Sequence, residues 1–193
     1  MKQKTDLRVV KTRKNIQDAF IRLLQQKSFE RITIQNILDE ALINRSTFYK
    51  HYQDKYELAD TMIEELLNSF INALEDRFTG DIGSLPVLLK RFYDILFEKK
   101  DRILALLDVR TLNYHLSENI RKVLRDKYLE YMHSSDHQSD EREMSYQSEI
   151  YASIVMTSVK WLLELGDEEE VEYILLRSVK QIGKMIETIT NLS

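Results

Sequence analysis

The chain has 193 residues with only 4 Gly and 1 Pro, while 31% are charged; so few turn-formers beside abundant Leu, Ile, Glu and Lys exclude a strand-rich fold and favour helices throughout. It has no Cys, which excludes disulfides and thiolate metal sites and suits a reducing compartment. The formal charge of -4 is uneven, since residues 1–60 hold 12 Lys and Arg against 8 Asp and Glu and the remainder holds 16 against 24, so a basic head precedes an acidic body.

Met1 to Arg8 is charged and polar, and nowhere do about 18 uncharged apolar residues run together. Neither a secretion signal nor a membrane span is expected, and the expected location is cytoplasmic. From Leu7 to Gln26, Val9, Ile16, Ala19, Phe20, Leu23 and Leu24 recur at three- and four-residue steps, predicting a first helix. Ser28 and Phe29 interrupt it. Thr33 then stands as an N-cap before Ile34, Ile37 and Leu38 on a short second helix, and Ala41-Leu42-Ile43 makes a tight turn. Asn44 caps a third short helix from Arg45 to about Tyr52, with Phe48 and Tyr52 facing inward. Asp54 caps a long fourth helix to about Phe78, ended by Thr79 to Gly83.

Further along, Ser84 with Pro86 starts a helix to about Lys99, Asp101 one to about Arg110, and Ser117 one to about His133. A polar loop is expected between His133 and Glu143. Two helices follow, from about Met144 to Leu165 before Gly166, and from Glu168 to Ile189 after Asp167. The predicted fold is all-α. A three-helix head with a helix-turn-helix, residues 1–53, is joined through a long helix to a helical dimerisation and effector-binding body, residues 54–193.

A short helix, a tight turn and a second short helix with an exposed polar face is the geometry that enters a major groove. The same residues also suit a plain three-helix packing unit. Arg13-x-x-Ile16, Phe29-x-x-Ile32-Thr33-Ile34-x-x-Ile37, Ala41-x-Ile43, Thr47-Phe48-Tyr49-x-His51-Tyr52 and Lys55-x-Glu57-Leu58 together resemble the N-terminal domain of TetR-type transcriptional regulators. The resemblance covers about the first 60 residues. It implies that Arg45, Ser46, Thr47 and Lys50 approach base edges or nearby phosphates, while Thr33, Tyr49, His51 and Lys55 hold the backbone. Arg suits the O6 and N7 of guanine; hydroxyls and Lys suit phosphate oxygens. Where that family often has Gly in the turn, this chain has Leu42, which would be strained by about 1 kcal/mol at positive φ.

In the body, Ile150, Ile154, Trp161 and Leu165 on one helix, then Ile174, Leu175, Ile182 and Met185 on the last, form apolar stripes. These can pair with a second copy into a four-helix bundle or close the core of a monomer. The resemblance implies a homodimer with double-stranded DNA operators as partner. An effector cavity would draw on Phe92, Phe97, Arg110, His115, Tyr151 and Met156, which are equally suited to an ordinary core. His133 and His137 have the spacing of two ligands on a helix turn, but their polar surroundings read as loop, and no metal is assigned.

No Gly-rich phosphate loop, G-x-S-x-G elbow or His-Glu metal helix is present, so no catalytic residue and no cofactor is assigned and an enzyme is not expected. The resemblance implies a repressor released from DNA by a small-molecule effector. The alternative is a TetR-like co-activator whose body binds a partner protein.

Overall fold

The computed structural model describes residues 7–79, 96–134 and 140–165, with Tyr173, Ile174, Arg177 and Gln181. Every element among the described residues is helical: α1 (Leu7–Leu24), a 3-10 turn (Phe29–Arg31), α2 (Ile34–Ala41), α3 (Arg45–Tyr49), α4 (Lys55–Thr79), α5 (Lys100–Leu106), α6 (Leu116–Ser134) and α7 (Glu141–Leu165). A single antiparallel bridge joins Arg110 and His115. The helices expected over 84–99 and 168–189 fall mostly outside the described residues; 96–98 and the four single positions are helical. No described helix is long and apolar enough to cross a membrane.

Local chemistry sets the boundaries. Thr33 Oγ1 accepts from the Asn36 amide at 3.2 Å while Asn36 Oδ1 accepts from the Thr33 amide at 3.1 Å, a reciprocal cap that starts α2. Asp54 Oδ1 starts α4 by accepting from the amides of Tyr56 and Glu57, each at 2.8 Å. Several ends differ from expectation: α3 stops at Tyr49 rather than about Tyr52 and α5 at Leu106 rather than about Arg110, and three starts differ as well. The first helical residue of α5 is Lys100, one before Asp101. The start of α6 is closed at His115, whose amide donates to Asn119 Oδ1 at 2.9 Å, leaving Ser117 inside the first turn. Asp140 rather than Glu143 bounds α7, because its carbonyl accepts from the Met144 amide at 3.0 Å.

Two compact units result: Met1–Ile71 with Asp101–Val123, and Asn72–Lys100 with Leu124–Ser193. In the first, Ile16, Ala19 and Phe20 of α1 are fully buried with Ile37 of α2, Phe48 of α3, and Leu58, Met62 and Ile63 of α4. Val9, expected on the same stripe, is exposed with Leu7 and Val10, because the first turns of α1 reach past the packed elements. Edge-to-face contacts of Phe29 with Phe20 (6.1 Å) and Tyr56 (5.3 Å) seat the 3-10 turn. In the second unit, Leu124 and Met132 of α6 are buried, as are Met144, Ala152, Leu162 and Leu163 of α7. An Arg125–Glu149 ion pair at 2.7 Å and the Tyr128–Tyr151 ring contact at 5.2 Å hold α6 to α7.

Candidate nucleic-acid interface

The site is built around two short helices and the turn between them. The turn closes α2 with two hydrogen bonds, Ile43 amide to Leu38 carbonyl at 3.1 Å and Leu42 amide to Asp39 carbonyl at 3.4 Å. This Schellman closure requires a left-handed residue, and Leu42 supplies it with φ 54 and ψ 43. Leu42 is the only non-glycine residue of positive φ among the described residues, so the expected strain is present. From α1, Asn15 Nδ2 donates to the Ala41 carbonyl at 2.7 Å, and Arg22 pairs with Glu40 at 2.6 Å. The C-terminal end of α2 is thus tied to α1.

Asn44 then organises α3. Its Oδ1 accepts from the Thr47 amide, the Thr47 hydroxyl and the Ser46 hydroxyl, each at 2.8 Å. Phe48 is fully buried and anchors the helix through Tyr49 and Tyr52, with ring centroids at 5.6 and 5.9 Å. The opposite face is turned to solvent: Arg45, Ser46, Tyr49 and Lys50 are exposed and Thr47 and His51 half-buried. Arg45 donates to Gln35 of α2 at 3.4 Å. A five-residue helix anchored by one aromatic therefore offers a guanidinium, an ammonium, a phenol and two hydroxyls on one side. Thr33, at the start of α2, is exposed, and its hydroxyl keeps a hydrogen to donate while its oxygen serves the cap.

Lys55 departs from its expected place on the DNA backbone. Its ammonium donates to the carbonyls of Phe29 (2.9 Å), Glu30 (3.2 Å) and Ile32 (2.9 Å) and lies 4.6 Å from the centre of the Phe29 ring. All three N–H bonds are used inside the head, on carbonyls at and just after the 3-10 turn, of which that of Phe29 also accepts from the Ile32 amide at 3.1 Å. Burial pushes its pKa below the ordinary lysine value, and Glu30 opposes that shift. A second polar cluster lies behind α3, which sequence reasoning missed. The Tyr52 hydroxyl accepts from Arg13 Nε at 3.1 Å and Gln17 Nε2 at 3.4 Å. Burial raises the Tyr52 pKa above its usual value, the Arg13 hydrogen bond acting against it.

Elsewhere, Arg110 is exposed and lines a cavity of about 760 Å³ in the first unit with Tyr56, Glu57, Asp60 and Asn113. His115 belongs to the same unit, whereas Phe97, Tyr151 and Met156 are half-buried in the second. Phe92 lies outside the described residues. On α7, Ile150, Ile154 and Trp161 are exposed with Tyr146, on the side away from buried Met144, Ser148 and Ala152. Ile174 is half-buried, while the Leu165 side chain and all of Leu175, Ile182 and Met185 lie outside the described residues. Among the described residues no group of acidic or His side chains is placed to hold a metal ion; His133 is exposed and His137 lies outside.

Comparison with known proteins agrees with this geometry. Residues 16–62 match the family model of bacterial regulatory proteins, tetR family. The chain is 43% identical over 70 residues to the uncharacterized HTH-type transcriptional regulator YxbF of Bacillus subtilis, covering 36% of this chain and 18% of that one. It is 33% identical over 79 residues to the HTH-type dhaKLM operon transcriptional activator DhaS of Lactococcus lactis, covering 41% of this chain and 42% of that one. The matched regions thus span less than half the length of either relative. A TetR/AcrR-type transcriptional regulator from Aquifex aeolicus shares the fold, with a TM-score of 0.64 over 89% of this chain and 99% of that one at 19% identity. Residues 16–62 thus carry the N-terminal domain of the tetR family of bacterial regulatory proteins, and the chain has the fold of a solved TetR/AcrR-type regulator over most of its length.

Proposed function

We propose that the protein is a homodimeric, sequence-specific DNA-binding regulator whose α3 reads the major groove. The observation that carries this reading is the two-sidedness of α3, with Phe48 fully buried behind an exposed Arg45, Ser46, Tyr49 and Lys50. Arg45, Ser46, Thr47 and Lys50 face base edges and nearby phosphates; Thr33, Tyr49 and His51 grip the backbone. Lys55 supports the head from within. The division of labour places DNA reading in residues 1–53 and dimerisation and effector binding in 54–193.

Dimerisation draws support from the exposed apolar stripe of α7, where Trp161 is 48% exposed in the single chain. Two heads would then meet half-sites a helical turn or more apart, about 34 Å or beyond. A small-molecule effector releases the dimer from DNA by favouring a different head spacing, and the protein acts as a repressor. A second reading, a co-activator whose body takes a partner protein, is favoured by the similarity to a relative named as an operon activator. The test common to both is Arg45→Ala, measured by fluorescence anisotropy on duplexes enriched by the native protein and on scrambled ones. The expected loss of preference is roughly tenfold or more. An unchanged preference would remove α3 from the reading role.

A further inference from the structure

We propose that Arg102 is a positioning residue for the DNA-reading helix, so that the head is completed by a segment of chain from beyond residue 100. The inference rests on the reading of α3 given above. Arg102 lies in the first turn of α5, far along the sequence from the helix-turn-helix, yet residues 101–123 belong to the same compact unit as residues 1–71. Its guanidinium donates to Gln17 Oε1 and lies 3.8 Å from Glu65 Oε2. Gln17 is 5% exposed, and its Nε2 donates to Glu65 Oε2 at 3.2 Å and to the Tyr52 hydroxyl at 3.4 Å. Arg13 closes the cluster, with Nε 3.1 Å from Tyr52 Oη and Nη2 3.5 Å from Glu65.

The chemistry allows one arrangement of these groups. The Gln17 carboxamide has one acceptor oxygen and two donor hydrogens; the oxygen is committed to Arg102, so the nitrogen must face Glu65 and Tyr52. Without Arg102 the buried carboxamide loses the partner that fixes its orientation, and the Glu65 carboxylate loses one of its two guanidinium neighbours. Tyr52 sits against Phe48, the anchor of α3. A shift of the tyrosine is therefore passed to the face that carries Arg45 and Tyr49. The apolar packing of α5 uses Ile103 and Leu106 instead, both buried, so the fold does not depend on the guanidinium.

The test uses the full chain with Arg102→Met, which keeps the length of the side chain and removes its donors, and Arg102→Lys, which keeps charge and one donor direction. Affinity is measured for a duplex enriched by the native protein and for its scrambled counterpart, alongside thermal midpoint. Arg102→Met is expected to weaken the enriched duplex by roughly fivefold with little change on the scrambled one. Arg102→Lys should recover part of that loss, and Tyr52→Phe combined with Arg102→Met should weaken binding by less than the product of the two single effects. Native affinity in Arg102→Met, or multiplicative losses with Tyr52→Phe, would overturn the inference. A loss on both duplexes that tracks the thermal midpoint and is not recovered by Arg102→Lys would also overturn it. Arg45→Ala on the same duplexes separates the two ideas: its failure to change preference removes the reading of α3, whereas damage there beside a native Arg102→Met removes only the positioning role.

Discussion

Leu42 is 91% exposed and contributes almost no burial, yet it holds a left-handed backbone that disfavours any side chain with a Cβ. Replacing it with Gly removes about 1–2 kcal/mol of local strain and returns about 0.4–1 kcal/mol through the freer unfolded chain. Leu42→Gly should therefore stabilise the protein by about 0.5–1 kcal/mol in urea unfolding with an unchanged slope; a destabilised variant would mean that the side chain has a partner in the native state. Lys55 makes the opposite kind of contribution. Its ammonium donates to three carbonyls at and just after the 3-10 turn. Lys55→Met should cost about 1–3 kcal/mol of stability while leaving the salt dependence of DNA binding as it was. A flattened salt dependence at native stability would return Lys55 to the phosphate backbone.

The short elements of the head were legible because their ends carry local chemistry. Thr33, Asn44 and Asp54 each cap the helix that follows, and each cap involves residues two or three positions away. The inward aromatics Phe48 and Tyr52 were readable from their spacing alone. What the pattern could not reveal was the direction of polar side chains whose partners lie far off. Lys55 turns toward residues 23 to 26 positions earlier, and Gln17 finds Arg102 across 85 positions. Neither pairing leaves a periodic signal, and nothing in the pattern singles out Gln17 among the polar residues of α1. The stripe on α7 is a case between these extremes, since its period is plain while its burial depends on what covers it. Ile154→Glu places a charge on that stripe; if the proposed dimer forms there, sedimentation should show the variant as a monomer and the native protein as a dimer. A dimer of unchanged strength would move the interface to another face.

At the scale of the whole chain, the first 60 residues are basic and the remainder acidic, the distribution expected if the head meets DNA and the body does not. The sequence boundary between head and body is not the boundary of compact packing, because residues 101–123 join the first unit. That segment supplies Arg102 to the cluster behind α3 and Asn113 to Asp60 of α4, at 2.6 Å. Contact with α5 thus reaches the reading helix through side chains rather than through the connecting helix alone, which gives the proposed effector response a physical route. The most direct measurement is selection of duplexes from a random-sequence pool by the native full-length protein at moderate salt, followed by sequencing. The expected result is enrichment of a two-fold symmetric site with half-sites a helical turn or more apart. A folded protein that enriches no sequence over its starting pool would contradict a sequence-specific dimeric regulator.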